Sequence, residues 1–390
     1  METVVGLEIH VELKTESKMF CACQTRFGMP PNSQCCPVCM GLPGALPTVN
    51  QKAVELGALA GIALHSQVQA QSRFDRKQYF YPDLPKGYQI TQRMHPLCIG
   101  GFLSLPDSGK RIEIEEMHLE EDAGKITHRG ASSYVDLNRC GLPLLEIVTK
   151  PMLSNGQEAY VFLNLLRDTL MMLGVTTGKM QEGALRVDVN VSVHEAGTPL
   201  GDRTEMKNLS SFKAVRAAID HEAARQMKII ASGEKIVGET RRWDERGGYS
   251  VSMRKKEGEQ DYRYFPEPDL PWLHLDPTGL EEMINRLPEL PEAIQLRLIK
   301  IPGMAAEKAI QLSNAPALLA CFDAAVKIAP DAKKILNWLL GDYRAIAKKN
   351  ALLPDCPPFT PDQFAALMHR VVAENLPYKD ARAELEAISK

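Results

Sequence analysis

An α+β fold, with an antiparallel-sheet domain followed by an all-helical one, is predicted by three observations. Apolar and polar residues alternate with a period of two in several segments of the first 286 residues, and capped amphipathic helices separate those segments. From about Thr278 the pattern gives way to short helical stretches punctuated by Pro and Gly. Leu287-Pro288-Glu289-Leu290-Pro291 reads as the linker, which gives domains 1–286 and 287–390.

The first strand is Val4 to Leu13. Leu7, Ile9, Val11 and Leu13 point to a core, and Glu8, His10 and Glu12 share the opposite face. Two carboxylates and an imidazole at strand spacing suit a hard divalent cation such as magnesium, whereas the plain reading is a solvated edge strand. The pattern then recurs. Leu185 to His194 places Arg186, Asp188, Asn190 and Ser192 over a valine-rich face. Arg111 to Glu121 alternates, slips phase at Glu115-Glu116 as a bulge would, and ends in Glu120-Glu121-Asp122-Ala123-Gly124-Lys125. Leu144 to Val148 carries Glu146 inside an apolar run, where an unpaired charge is costly. Acids from four segments converge on one cleft in this reading, and carboxylates so dense need cations or a metal between them.

Net charge is −3 over 390 residues, so nucleic-acid contact has to be local rather than chain-wide. No apolar run approaches a membrane span, and the N-terminus reads straight into a strand without a leader, so a soluble, non-secreted chain is expected. Nine cysteines, five of them within residues 21–39, point to a reducing compartment and metal rather than disulfides. Cys21-Ala22-Cys23 and Cys35-Cys36-Pro37-Val38-Cys39 flank a Gly/Pro/Asn/Ser-rich loop. The simplest tetrahedral zinc set is Cys21, Cys23, Cys36 and Cys39, with Cys35 spare. Buried or redundant thiols are the alternative.

Asn50 caps a helix to about His65, a second helix runs from about Glu158 to Leu173, and a third runs from Ser211 to near Gly233. Between the first two lies Ser72 to Tyr88, where Arg73, Arg76, Lys77 and Lys86 interleave with Phe74, Tyr79, Phe80, Tyr81 and Tyr88. Such a mixture neutralises phosphates and stacks bases, or else packs its rings under the domain. Glu239 to Glu267 is polar and strand-like, with Met253-Arg254-Lys255-Lys256-Glu257 and Asp261-Tyr262-Arg263-Tyr264-Phe265-Pro266. Neither a P-loop nor a Gly-rich dinucleotide turn is present, and no nucleophile triad is recognisable. A nucleotide would then be held by metal-bridged phosphates on an acidic sheet.

Gly6-Leu7-Glu8-Ile9-His10, Phe74-Asp75-Arg76-Lys77 with Tyr79-Phe80-Tyr81-Pro82-Asp83, Leu119 to Lys125, and Asp261 to Asp269 resemble the signature stretches of the B-subunit family of aspartyl/glutamyl-tRNA(Asn/Gln) amidotransferases. The resemblance runs through essentially the whole chain. It implies a cradle-shaped α+β catalytic domain, distantly like glutamine synthetase, followed by a helical domain. The implied activity is that of an ATP-dependent carbon–nitrogen ligase with glutamine as amido donor. The side-chain carboxylate of Glu-tRNA(Gln) or Asp-tRNA(Asn) is phosphorylated, and ammonia then displaces the phosphate. The implied partners are a glutamine-hydrolysing amidase, a further small protein that clasps the two together, and the misacylated tRNA. The implied setting is a bacterial cytoplasm or, if a leader was removed, an organellar matrix.

Residues and resemblance together assign Glu8, His10, Glu120 and Glu121 to catalysis and magnesium, with Glu146 and Asp188 as further ligands or supporting acids. Lys77, Tyr81 and Lys86 are assigned to ATP or the tRNA 3′ end, and Arg186 and Arg263 to phosphate charge. Zinc rests on this sequence's own spacing, because many family members lack the cysteine quartet. The final helix stops without a polar tail, so a chain cut before a complete tRNA-binding tail domain is expected. Two rivals remain: a free-standing carboxylate–amine ligase working without tRNA, and a silent RNA-binding scaffold that tolerates loss of Glu8, His10 and Glu120.

Overall fold

The computed structural model describes residues 1–255 and 262–390. Lys256, Glu257 and Asp261, read above within basic and aromatic stretches, lie outside the described residues. Strands β1 (Glu2–Glu12), β2 (Gln71–Gln78), β3 (Tyr88–His95), β4 (Arg111–Glu121), β5 (Pro143–Thr149), β6 (Leu185–His194), β7 (Thr204–Lys207), β8 (Glu239–Asp244) and β9 (Tyr249–Lys255) carry the architecture. Helices α1 (Gln51–Ala63), α2 (Gly156–Met172) and α3 (Phe212–Ala231) accompany them.

The chain is mixed α and β, with sheets dominated by antiparallel pairs and a helical C-terminal region. The main sheet runs β9-β8-β7-β6-β1-β5-β4 and continues through the short strands Cys98–Ile99 and Gln67–Val68. Among the described residues its one parallel pair is β7 with β8. Strand β1 lies centrally because its alternate residues Val5, Leu7, Ile9 and Val11 are all buried, while Glu8, His10 and Glu12 are only half-buried. The phase slip expected in β4 is present. Val148 pairs with Glu116 but Thr149 pairs with Ile114, so Glu115 is the extra residue of a bulge. The slip keeps Ile112 and Ile114 before it, and Met117 and Leu119 after it, all in the core.

Apolar stripes of α1, α2 and α3 join the strands in one hydrophobic cluster. Asn50 and Ser211 cap α1 and α3 as expected, accepting from Ala53 N and Ala214 N, and Asn155 caps α2 from Glu158 N. Helix α2 meets α3 closely at its start: a Cβ on Gly156 would sit 2.3 Å from the Arg216 carbonyl oxygen. A second sheet is built on β2, which pairs with β3, Phe265–Pro266 and Leu273–His274.

The chain divides into two compact units, Met1–Leu105 with Lys110–Pro288, and Glu289–Lys390 with Pro106–Gly109. The second unit is helical from Pro291–Ile299 to Tyr378–Ile388, around buried Leu298, Phe322, Leu339, Tyr343 and Phe364. Among the described residues no single helix is long and apolar enough to cross a membrane.

Candidate active site

Antiparallel register assembles the site. His10 on β1 lies opposite Glu146 on β5 and Arg186 on β6, and Glu146 lies opposite His118 on β4. Residues paired across strands share a face, so the row Arg186-His10-Glu146-His118 lines the polar side of the sheet. Glu120, two residues beyond His118, projects to the same side. His10 Nε2 is 3.7 Å from Glu120 Oε1 and 3.6 Å from Glu146 Oε2. His118 Nε2 is 3.1 Å from Glu146 Oε2 and 3.9 Å from Glu120 Oε2.

The electrostatics are unequal across this row. Burial, with Glu146 beside it, raises the Glu120 pKa, and the residue is 3% exposed. Burial would raise Glu146 too, but His118, His10 and Lys77 outweigh it and hold that carboxyl well below the usual range. Burial opposes charge on His118, yet Glu146, Glu116 and Glu120 prevail and push it up to about 10. Lys77 reaches in from β2. Its burial is outweighed by Tyr264, Glu120 and Glu146, which raise its pKa, and its Nζ stands 4.8 Å from the centre of the Tyr262 ring.

One row along the ladder, Glu8 faces Asp188. Glu205 on β7 completes a second acidic group with them. Asn190 Nδ2 donates to Glu8 Oε1 at 2.9 Å. Lys207 Nζ lies 2.6 Å from Asp188 and 2.9 Å from Glu205, and Thr240 donates to Glu205. Burial, then Glu146, raises Glu8.

Either group can hold a metal. Ligand atoms of His10, Glu120 and Glu146 all lie within 4.8 Å of one another, as do those of Glu8, Asp188 and Glu205. The fit is stronger for the first. Burial and the neighbouring Glu146 disfavour the anionic form of Glu120, and a divalent cation between the two carboxyls would relieve that cost. Asp188 and Glu205 already have Lys207.

Glu121, expected among the magnesium ligands, is brought to neither group. It follows Glu120 on one strand and therefore points to the opposite face, in phase with Met117 and Leu119. There its carboxylate accepts from Lys86 Nζ and from Ile90 N. Lys86, expected at ATP or the tRNA end, is spent on that buried pair. The two wall a cavity of about 130 Å³ together with Lys18, Phe20, Cys21 and Cys39. The cysteine loop presses on Lys86 through Gly41, at φ +68°, where a Cβ would sit 2.7 Å from Lys86 Cγ. Arg186 is also engaged, 2.9 Å from Asp122, which Arg139 also approaches at 3.5 Å. Glu12, on the same face as His10, is pushed up to about 7 by burial and by Asp122, against Arg186.

Tyr81 and Arg263 belong to an exposed aromatic group. Gln78 N donates to Tyr262 O, and Phe265 pairs with Arg76, which joins stretches far apart in the sequence. Ring centres of Tyr79 lie 5.9 Å from Tyr81 and 6.5 Å from Tyr262, and Tyr262 is 5.9 Å from Tyr264. Tyr81 is 50% exposed and Phe80 73%.

His118, Glu116 and Glu205 are the site residues that sequence reasoning misses. The alternation carries the signal for the first, since His118 precedes Glu120 by two. Glu205 lies on a four-residue strand too short to show a period.

The sulfurs of Cys21, Cys23, Cys36 and Cys39 all lie within 4.8 Å of one another, and Cys36 N donates to Cys39 Sγ at 3.2 Å. The donor set and backbone support fit a tetrahedral zinc. Cys35 stays outside the set and faces Asn138.

The family described as the GatB/GatE catalytic domain matches residues 3–281. The chain belongs to it. Both acidic groups, the aromatic group and the four cysteines fall inside the matched stretch. Relatives in this family include the aspartyl/glutamyl-tRNA(Asn/Gln) amidotransferase B subunit of Caldicellulosiruptor saccharolyticus, 47% identical over 378 residues, covering 95% of this chain and 79% of the relative. A B subunit of the same enzyme from Clostridium acetobutylicum is 46% identical over 371 residues, covering 94% and 78%. The B subunit from Myxococcus xanthus is 46% identical over 375 residues, covering 95% and 78%.

Proposed function

We propose that this chain is the amide-forming component of a tRNA-dependent amidotransferase. It would phosphorylate the side-chain carboxylate of Glu-tRNA(Gln) or Asp-tRNA(Asn) with ATP, and form the amide with ammonia supplied by a glutamine-hydrolysing amidase, with a further small protein clasping the complex. The observation that carries this reading is the row of His10, Glu146 and His118 with buried Glu120, approached by Lys77 and bordered by exposed rings. Relatives bearing the B-subunit name support it at high coverage.

In this reading residues 1–286 form a glutamine synthetase-like cradle and 287–390 a helical domain, and the protein works in the cytoplasm. His10, Glu120 and Glu146 hold magnesium, with Glu8, Asp188 and Glu205 as a second acidic seat nearby. Bound there, magnesium would neutralise phosphate oxygens and polarise the phosphorus being transferred. His118 stays protonated and pins the Glu146 carboxylate in its rotamer. Lys77, screened from water by Tyr262 and Tyr264, places its ammonium where charge builds on the transferring phosphoryl group. Tyr79, Phe80 and Tyr81 offer faces for the bases of the tRNA 3′ end, with Arg263 for its phosphates. Arg186 holds Asp122 and so fixes the turn after Glu120.

The test is amide formation from ATP, magnesium and ammonium with misacylated Glu-tRNA(Gln) present or absent. Ammonium removes the need for the amidase. Product only with the charged tRNA supports the reading. Turnover of a free acid without tRNA would favour the free-standing ligase. Where tRNA gives no product, adding the amidase and the small clasping protein decides: continued silence contradicts the proposal.

A further inference from the structure

Lys18 has no part in the amide-forming site, yet it is fully buried, at 0% exposure. Its Nζ lies 3.7 Å from Cys39 Sγ and 3.1 Å from the Leu137 carbonyl oxygen. Among the described residues no carboxylate forms an ion pair with it. A buried ammonium whose one oxygen partner is a carbonyl gains from an anion set opposite it. The group in that position is the Cys39 sulfur, one of four sulfurs gathered within 4.8 Å. Neutral thiols would not meet the charge. Four thiolates on a divalent zinc leave two excess negative charges, which would. The Cys39 sulfur has the Cys36 N–H at 3.2 Å and the Lys18 Nζ at 3.7 Å.

We infer that Lys18 is the built-in counter-charge of a four-thiolate zinc centre, donating to the Cys39 sulfur so that metal and ammonium stabilise each other. The two are thermodynamically linked. Zinc would make the buried Lys18 half of an ion pair, and Lys18 would lower the cost of collecting four thiolates around one ion. Supporting groups of this kind typically change metal affinity by about 10–100-fold.

The test uses the full chain, with zinc content and chelator-competition affinity measured for wild type, Lys18→Met and Lys18→Arg. Lys18→Met should bind zinc about 10–100-fold more weakly, with Lys18→Arg between the two. Alkylation of the cluster cysteines by N-ethylmaleimide should quicken in the same order. After chelation the order of stability should reverse, with Lys18→Met at least as stable as wild type, since the cation left without its anion is gone. Equal zinc affinity in the folded variants, or a Lys18→Met loss of stability that is the same with and without metal, would reduce Lys18 to a packing residue. If Lys18→Met yields no folded protein, the yield should recover as zinc in the growth medium rises. A yield indifferent to zinc, or folded wild type that carries no metal, overturns the inference.

Discussion

Two acidic groups sit on adjoining rows of one sheet face, one made of a histidine and two glutamates and the other of three carboxylates, and they differ in who neutralises them. Around His10, Glu120 and Glu146 the nearest cations are an imidazolium and the screened ammonium of Lys77, and Glu120 stays buried with its pKa raised. Around Glu8, Asp188 and Glu205 the Lys207 ammonium touches two carboxylates directly. The group with more carboxylates is the one that holds the lysine. What separates them is the direct lysine contact at Asp188 and Glu205, and under the proposed function the first group takes the metal while the second supports it.

The largest effect should therefore come from Glu120. Glu120→Gln keeps the shape, removes the charge, and should lower ATP-dependent amidation about a hundredfold or more, while the glutaminase activity of the assembled complex is retained. Glu205→Gln, next to a lysine that already offsets it, should cost about tenfold or less in amidation at saturating magnesium. If the two substitutions cost the same, the distinction between the groups fails.

Glu121→Gln sharpens the contrast from the other face of the sheet. It should leave magnesium dependence unchanged but strand Lys86, destabilising the first unit by about 3 kcal/mol in denaturant titrations. The smallest effect concerns pH. Glu12, beside the first group, has a folded pKa of about 7 against an ordinary 4.5, so folding takes up a proton in that window and stability falls as pH rises through it. Glu12→Gln should remove a decline on the order of 2 kcal/mol between those pH values, and a slope unchanged in Glu12→Gln would place the titration elsewhere.

Much of this is legible in the sequence because period-two alternation is a local signal. It puts Leu7, Ile9 and Val11 in the core, places Glu8 and His10 on the other face, and locates the bulge at Glu115-Glu116 from a phase slip alone. The caps at Asn50 and Ser211 and the clustering of four cysteines are equally local. Register is not. Which residue of β5 faces His10 depends on pairing between segments distant in the chain, so the contact of His118 with Glu146 and the approach of Glu205 to Asp188 escape a sequence reading, although His118 alternates in phase with Glu120. Glu120 and Glu121 read as one acidic patch, although neighbours on a strand cannot share a face. Lys86 looks free only while its partner, Glu121, is assigned to the metal.

The central claim is tested most directly by titrating the chain with manganese, as a magnetic stand-in for magnesium, and following the free ion by electron paramagnetic resonance. Wild type, Glu120→Gln and Glu205→Gln are to be compared at one pH. The account predicts that tight manganese binding is lost in Glu120→Gln and kept in Glu205→Gln. Tight binding that survives Glu120→Gln but disappears with Glu205→Gln would contradict it and move the metal to the second group.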